Sequence, residues 1–487
     1  MTAAQTHRLS LSLDPADITT FLQHPLLSTA PKRRRVHQTV FDTPERTLAS
    51  LGLSVEETRI LRKTTLTVCQ QGANGHEWSA PTTAGTFDFA TLIDTPETAE
   101  QLSQCASALV PLFTLDLGQR VWIAQIRSAQ VEVILEDGTL ATGSNAEPRS
   151  SHLCELQLRL ITGQPAALYG VARLLSRQVR LHPIRDSVKA RALAFCDGTE
   201  LRPMKAKRIK IDPKSASISV FKHVAWLCID QLQANEQGVF GPNNVEFIHQ
   251  ARVALRRLRT ALRLFSSALP AGFSDKWSQA WRDVGEQLGN ARNWDVFCSE
   301  LLPAIAADLG EHPDVQQLTA FAKQQRTAAH IQTQEWLRGR RYSLTLIAFC
   351  EALQTLAERD TVRIDDFAGQ ALKKRHKRFC RGARIAHTLS AEARHEVRIE
   401  LKKLRYTLDF FESLYGQKQL QAFLHGLAET QELLGHMNDL ATGELLLATR
   451  PGQPFDLPVA WTRGRMSAYI EMLPAALKPV LDAKTPW

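Results

Sequence analysis

The chain has 487 residues, of which 44% are hydrophobic and 22% charged, and its formal net charge of +9 comes from 59 basic and 50 acidic residues. This length predicts two or three domains, and the composition excludes a low-complexity chain. No apolar run reaches the roughly 18 residues of a membrane span, and the N-terminus lacks a signal-peptide pattern. The eight cysteines occur without a Cys-x-x-Cys pair, so we expect a cytoplasmic protein without disulfides, metal or cofactor.

Short strands are predicted up to about residue 200. Arg8–Leu13, Gln130–Gly138 and His152–Leu160 alternate or run apolar over strand lengths. Turns are predicted at Asp137-Gly138 and Thr162-Gly163, and a helix over 166–180. This half is therefore predicted to contain antiparallel strands with helices.

A basic segment follows at 201–214, with prolines at 203 and 213. Its lysines and arginines belong either to a solvated linker or to the outer part of an anion site. The proline pair and the change to helical periodicity predict a domain boundary here. We therefore predict domains at 1–200 and 215–487, joined by this linker.

The helical half contains an internal repeat. HQARVALRRLRTALRLF (249–265) aligns without gaps to HEVRIELKKLRYTLDFF (395–411), and Leu288-Gly289 and Leu434-Gly435 keep the same offset of 146 residues. A constant offset over two separate segments predicts two similar helical subdomains related by a pseudo-twofold axis.

Each copy places cations on one face of a predicted helix and leucines on the opposite face. The basic arc holds His249, Arg252, Arg256, Arg259 and Arg263 in the first copy and His395, Arg398, Lys402 and Arg405 in the second, and Arg257 and Lys403 keep a charge beside it. In the second copy Asp409 replaces the last arginine.

A solvated amphipathic face is the alternative interpretation of this arc. Solvated faces usually mix charge signs, because like charges four residues apart destabilise a helix. The first copy has no acidic residue, and its basic face recurs in the second. Arginine donates paired hydrogen bonds to phosphate oxygens, so the pattern favours a linear polyanion as the ligand. The two histidines are either part of this site or helix-start residues that donate to a neighbouring carbonyl.

A third basic stretch lies at 371–386. It places five cations on one helical face, namely Lys374, Lys377, Arg378, Arg381 and Arg384. Two interpretations are open: the helix packs beside the second repeat helix and extends the site, or it is a surface-exposed basic helix.

HQARVALRRLR, LGNARNWDV, HEVRIELKKLRY and QELLGHMNDL together resemble the CHAD family, the conserved histidine α-helical domain, over about residues 215–480. The resemblance implies two four-helix bundles facing each other across a basic channel, binding of inorganic polyphosphate and recruitment to polyphosphate granules. Asn293 stands where the family commonly has aspartate, and the partner segment has Asn438-Asp439. We interpret these as capping or packing positions.

The first half resembles the CYTH or triphosphate-tunnel family through VFDTPERTLASLGLSV (40–55), CELQLRL and SVKARA (187–192). The resemblance implies an eight-stranded antiparallel barrel with a tunnel. Most residues for holding metal and triphosphate are missing: the opening motif has Arg8, Ser10 and Ser12, and a later acidic strand keeps only Glu155. Glu132, Arg120 and Lys189 remain as candidates. We expect a barrel without catalytic activity or metal.

Non-catalytic polyphosphate binding is therefore the leading hypothesis. The first alternative is a metal-dependent phosphohydrolase in the first half, and the second is a nucleic-acid-binding protein. No base-stacking aromatics interleave with the arginines, and Trp277, Trp281 and Trp294 lie outside the basic arc. Nucleic acid and membrane are thus not the expected partners.

Overall fold

The computed structural model describes residues 7–70, 75–143, 149–358, 362–450, 452 and 455–487. The chain forms two compact units. The sheet unit comprises Met1–Leu201 and Ser343–Thr355, and the helical unit comprises Arg202–Tyr342 and Leu356–Trp487. The predicted division did not place 343–355 with the first half, because that segment has the same helical pattern as its neighbours.

An antiparallel sheet forms the sheet unit, as predicted. Its strands are Arg8–Leu13 (β1), Lys32–Asp42 (β2), Leu53–Ile60 (β3), Lys63–Gln70 (β4), Glu77–Thr82 (β5), Val110–Ile126 (β6), Ala129–Thr142 (β7), Ser150–Thr162 (β8) and Leu181–Ile184 (β9). The order is β5-β4-β3-β2-β6-β7-β8-β1-β9. The described residues thus form nine strands rather than the eight that the tunnel-family resemblance implies.

The predicted turn at Asp137-Gly138 is wrong, because β7 continues through it to Thr142. Gly138 pairs with Leu117 on β6. A Cβ at this position would lie 2.0 Å from the backbone oxygen of Asp116. The glycine therefore permits a close strand approach and does not end the strand. The second predicted turn is confirmed, since β8 ends at Thr162 and Gly163 has a φ of 107°.

Among the described residues up to 201, the α-helices beside the sheet are Ile18–Leu22 (α1), Thr47–Ser50 (α2), Phe89–Leu92 (α3), Pro96–Cys105 (α4), Ala166–Leu175 (α5) and Val188–Asp197 (α6). The helix predicted over 166–180 ends five residues early, because the chain must turn to enter β9. Leu11, Val133, Leu156 and Val171 belong to one buried core, which Ile347 completes. The segment 343–355 thus supplies core to the sheet unit.

The remaining helices are Ser217–Val239 (α7), Val245–Leu264 (α8), Phe273–Val296 (α9), Leu302–Leu309 (α10), Pro313–Arg338 (α11), Arg340–Thr355 (α12), Ile364–Ala383 (α13), Ala391–Phe411 (α14), Gln417–Leu447 (α15) and Asp456–Asp482 (α16). Within the helical unit, α7, α8, α9 and α11 pack successively, and so do α13, α14, α15 and α16. The two predicted four-helix groups are confirmed. None of the described helices combines the length and apolarity needed to cross a membrane.

The repeat helices α8 and α14 each begin four residues before their histidine. Their predicted apolar faces are confirmed: Leu255, Leu258, Leu262, Leu401, Leu404 and Leu408 are all buried. Phe265 and Phe411 occupy equivalent positions, and their ring centroids lie 6.1 Å apart. Contact between equivalent residues is what a pseudo-twofold axis produces.

The basic segment after Leu201 lies on the helical unit. The backbone N–H of Met204 donates to Asn235 Oδ1 at 3.0 Å, and Asn235 Nδ2 donates back to the Met204 carbonyl at 3.0 Å. Ile209 is buried. Lys207 pairs with Asp230 at 3.2 Å. The segment is therefore held in place along its length, and at least one of its cations has an acidic partner.

Candidate functional site

Four cations from the two repeat helices lie close together. Arg252 and Arg256 come from α8, and Arg398 and Lys402 come from the equivalent positions of α14. Burial and the charges of Arg256 and Arg292 lower the pKa of Arg252 to about 9. Burial and the charges of Arg256 and Arg398 lower the pKa of Lys402 to about 5. These shifts arise first from burial and then from repulsion between neighbouring cations, and a bound anion would offset both.

Several guanidinium groups in this region have donors without an acceptor. Among the described residues, Arg256, Arg259 and Arg398 each have a buried Nε with no hydrogen-bond partner. Most buried N–H groups in folded proteins are partnered, because an unpaired one costs about 1–3 kcal/mol. Unpaired donors on adjacent cations are therefore suited to donate hydrogen bonds to the oxygens of an anionic ligand.

Two adjoining cavities run along α8. The first-repeat cavity has about 490 Å³ and is lined by Arg252, Leu255, Arg256, Arg259, Arg282, Gly285, Glu286, Gly289, Asn290 and Asn293. The inter-repeat cavity has about 200 Å³ and is lined by Arg256, Arg259, Thr260, Arg263, Arg375, Ile399, Lys402, Lys403 and Tyr406. Both are lined by Arg256 and Arg259, and we call the two cavities together the basic groove. Its described lining has eight lysine and arginine residues and a single carboxylate, Glu286.

A glycine gives Arg252 its position. Arg252 Nη1 donates to the backbone oxygen of Gly289 at 2.6 Å. A Cβ on Gly289 would lie 3.0 Å from that nitrogen, tighter than ordinary contact. The glycine of the repeated Leu-Gly pair therefore lets the guanidinium lie against α9. In the second repeat, no described atom lies within 4 Å of a Cβ built on Gly435, so this arrangement is not repeated.

The two predicted histidines differ in their surroundings. Burial and the charge of Arg292 lower the pKa of His249 to about 4, so its ring is neutral near pH 7. His395 is exposed, and its Nδ1 lies 2.9 Å from Asn438 Oδ1. Both lie one turn inside their helices, so the interpretation as helix-start residues is wrong. Arg292 and Asn438 are equivalent positions of the repeat, so the cation beside His249 is replaced by an amide beside His395.

Some predicted cations lie away from the groove. Arg257 is 2% exposed and donates to Gln231 Oε1 at 3.2 Å, with its guanidinium 5.6 Å from the ring centre of Phe410. Arg257 therefore faces the core. The presence of Lys403 at the equivalent position of the second repeat could not indicate this. Arg405 donates to Gln431 Oε1 at 3.0 Å. Neither residue lines the basic groove.

The third basic helix, α13, packs beside α14. Its residue at the groove is Arg375, which the sequence analysis missed and which lies 3.6 Å from Glu400. Lys403 also pairs with Glu400, at 2.6 Å. The predicted Lys374, Lys377, Arg378 and Arg381 are exposed and line neither cavity of the groove. The helix thus packs beside the second repeat helix, as one interpretation predicted, and the four predicted cations named here are exposed, as the other predicted.

The capping interpretation of Asn293, Asn438 and Asp439 is wrong, because all three lie inside helices. Asn293 lines the first-repeat cavity. The charge of Asp439 partly opposes the lowering of the pKa of Arg398, which burial lowers to about 10. The sequence analysis also missed Arg282. Arg282 lies three residues before Gly285 and seven before Gly289 on α9, so it shares a helix face with both glycines. This spacing could have identified it as a groove residue.

In the sheet unit, the candidate catalytic carboxylates have partners. Glu155 pairs with Arg191. Lys189 pairs with Glu56 at 2.7 Å, and Arg159 with Glu132 at 2.6 Å. These pairs leave the acidic residues that the tunnel-family resemblance singles out in contact with cations.

Glu136, which the sequence analysis missed, is buried on β7 and accepts from Gln119 at 2.5 Å and Gln157 at 2.7 Å. Burial raises its pKa, which favours the neutral form. In the part of the chain that the structure describes, no three His, Cys, Asp or Glu side chains are grouped to hold a metal ion.

The helical architecture and the repeated basic helices define a two-repeat helical domain. The CHAD domain family model matches residues 223–448. The crystal structure of the CHAD domain from the plant Ricinus communis is 30% identical, with a TM-score of 0.51, and the match covers 58% of this chain and 98% of that one. The chain belongs to the CHAD domain family.

Two further solved structures show lower similarity. PptA from Streptomyces chartreusis is 17% identical over 55% of this chain and 99% of its own, with a TM-score of 0.43. HpAC1 from Hippeastrum, described as having a dominant triphosphatase activity, is 15% identical over 40% of this chain and 98% of its own, with a TM-score of 0.29. Likeness at this level does not by itself identify a family.

Proposed function

We propose that the helical unit binds inorganic polyphosphate, a linear polyanion, in the basic groove. The observation that carries this proposal is the cluster of Arg252, Arg256, Arg398 and Lys402, in which burial and neighbouring cations lower the pKa values of Arg252, Arg398 and Lys402. Like charges remain together in a folded protein at a cost in free energy. A ligand with several negative charges in a row offsets that cost and accepts the unpaired guanidinium N–H groups. Membership of the CHAD family supports the same ligand.

Polyphosphate fits the groove better than nucleic acid does. Single-stranded nucleic acid is usually bound through aromatic side chains on which bases stack. Tyr406 is the one aromatic residue in the described lining of the groove. Trp277, Trp281 and Trp294 are all buried in the helical core. The groove thus offers charge and hydrogen-bond donors but little stacking surface.

The proposed role is binding without catalysis. Phosphate-transfer enzymes use metal ions and cations to stabilise the developing charge. In the sheet unit, Glu56, Glu132 and Glu155 already have cationic partners. The alternative is a phosphohydrolase in that unit. Phosphate release from tripolyphosphate with Mg²⁺ or Mn²⁺, abolished by Glu155→Gln, would establish the alternative.

Titration with long-chain polyphosphate at constant salt tests the proposal. Arg252→Glu/Arg398→Glu is expected to weaken binding by more than about 100-fold, since it removes two charge-assisted contacts and adds repulsion. The matched control is Lys323→Glu/Lys478→Glu, which makes the same change in net charge at two exposed helix positions. Equal losses in both double variants, or equal affinity of the wild type for single-stranded RNA, would refute the proposal.

We further propose that the protein associates with polyphosphate granules through this groove. A fluorescent fusion of the full chain is then expected to form foci that coincide with polyphosphate staining. The Arg252→Glu/Arg398→Glu variant should be diffuse at equal expression, because the same cations hold the polymer. Foci that persist in the variant would show that granule association does not depend on the groove.

A further inference from the structure

The two repeats are not equivalent around the groove. With the offset of 146 residues, five paired positions that differ in charge or size are Arg263/Asp409, Arg282/Ala428, Gly285/Gln431, Arg292/Asn438 and Asn293/Asp439. At four of these pairs the first repeat has the more positive residue, and at the fifth it has a glycine in place of a glutamine. These five differences make the first repeat more cationic or more open.

One arginine is occupied in the second repeat and available in the first. Arg405 Nη1 donates to Gln431 Oε1 at 3.0 Å. The equivalent pair is Arg259 and Gly285, where the glycine has no side chain to accept a hydrogen bond. Arg259 keeps a buried Nε without a partner among the described residues. The same arginine is thus internally bonded in one repeat and free to bind an anion in the other.

The space beside the two arcs also differs. In the first repeat, Arg252 and Arg259 line the cavity of about 490 Å³. In the second, Arg398, the equivalent of Arg252, lines a pocket of about 30 Å³ whose other walls, which include Leu434, Met437 and Met466, are not equivalent to those of the first cavity. A cavity of the first size holds a group of several atoms, whereas the second has little more room than a water molecule needs.

The positions of carboxylates also make the first repeat more cationic than the second. The charge of Asp439 acts on both Arg398 and Lys402. Its equivalent in the first repeat is the neutral Asn293, which lines the cavity next to Arg252. The charged neighbours acting on Arg252 are cations, chiefly Arg256 and Arg292. Glu286 acts on Arg259 in the first repeat, but its equivalent, Glu432, is also a carboxylate, so Asp439 is a carboxylate that the first repeat lacks. An anion therefore meets a less compensated field in the first repeat.

We infer that the groove has a fixed polarity: the first-repeat cavity, around Arg252, Arg256 and Arg259, is the anchoring subsite for a few successive phosphate groups, and the second repeat only guides the rest of the chain. This inference rests on the proposed polyphosphate binding and makes it more specific. A short polyphosphate fills the anchoring subsite alone. Tripolyphosphate is therefore expected to bind without contacting the second repeat.

Calorimetric titration of the full chain with tripolyphosphate tests this inference at two equivalent arginines. Arg259→Gln is expected to weaken binding about tenfold or more, as expected for a lost charge-assisted contact. Arg405→Gln is expected to weaken it by less than about threefold. The reciprocal exchanges give a second comparison: Gly285→Gln should weaken tripolyphosphate binding by occupying Arg259, and Gln431→Gly should change it by less than about threefold, because Arg405 belongs to the second repeat. Unchanged melting temperatures establish that the variants fold.

Three results would overturn the inference or what it rests on. Equal losses at Arg259 and Arg405, or a larger loss at Arg405, would show that the repeats contribute alike. Binding of long-chain polyphosphate without binding of tripolyphosphate would show that the first-repeat cavity is insufficient as an anchor. A wild type that binds neither compound would instead refute the proposed function itself.

Discussion

Lys402 lies among Arg252, Arg256 and Arg398, and burial together with the charges of these arginines lowers its pKa to about 5, with Asp439 opposing the shift. At neutral pH the free protein therefore keeps this side chain largely uncharged. A phosphate chain in the groove would stabilise the ammonium form and raise the pKa again. Ligand binding is then coupled to uptake of a proton.

The pH dependence of polyphosphate affinity follows from this coupling. Between pH 8 and about 5, affinity should rise as pH falls, by at most about tenfold per pH unit for one proton. Below pH 5 the Lys402 contribution levels off, because the free protein is already protonated there. Lys402→Arg should remove most of this dependence, whereas His249→Gln should retain it above pH 5, since the pKa of His249 is about 4. An unchanged pH profile in Lys402→Arg would show that protonation of Lys402 does not cause the pH dependence.

At the scale of elements, the sequence periodicity predicted the apolar faces of α8 and α14 correctly, because leucines at helical spacing have a strong preference for burial. The beginnings of these helices were placed four residues late. In α14 the first turn is capped by Ser390, which accepts from the backbone N–H of Ala393 at 3.3 Å. The strand through Gly138 was missed because its close contact with β6 is not local in sequence.

Glycines inside helices allow a matched test of packing. A Cβ on Gly238 of α7 would lie 2.1 Å from the Phe247 ring of α8, whereas no described atom lies within 4 Å of a Cβ on Gly369 of α13. Gly238→Ala should therefore destabilise the protein by about 1–3 kcal/mol through overpacking. Gly369→Ala should stabilise it by about 0.5–1 kcal/mol through helix propensity. Urea unfolding measures both free energies, and equal effects would show that the α7–α8 contact is not tight.

At the scale of the whole molecule, the chain leaves the helical unit at Ser343 and returns to it after Thr355. Within the sheet unit, Ile347 is buried in the core formed with α5, and Glu351 pairs with Arg173 at 2.7 Å. Neither contact has a signature in local sequence. The sheet unit is therefore completed by a segment more than a hundred residues away along the chain.

Removal of residues 1–201 tests this arrangement. The fragment 202–487 would expose Ile347, so we expect it to aggregate more than the full chain does. Ile347→Ser should improve the solubility of the fragment. In the full chain the same change should lower the free energy of unfolding by at least about 2 kcal/mol, because it empties part of a buried core. Size-exclusion chromatography and urea unfolding give the two readouts. Equal solubility of the fragment 202–487 with Ile347 and with Ile347→Ser would contradict the burial of Ile347.

The sequence by itself determined the repeat, the two basic helices and the order of a strand-rich half and a helical half. These properties depend on periodicity and identity at fixed spacing, which are local. It also indicated eight residues that line the groove or the adjacent pocket, including Arg252, Arg256, Arg398 and Lys402. Residues on an exposed or half-exposed face of a regular helix can be predicted, because the helix fixes their directions.

Only the tertiary structure decided which cations meet. Arg257 turned out to be buried, Arg282 and Arg375 reach the groove from other helices, and Arg405 is bonded to Gln431. Each of these outcomes depends on how one helix packs against another, which determines what a side chain contacts. Solvent exclusion and the distances between charges arise only in the folded chain, so the pKa shifts and the difference between the two repeats arise there as well.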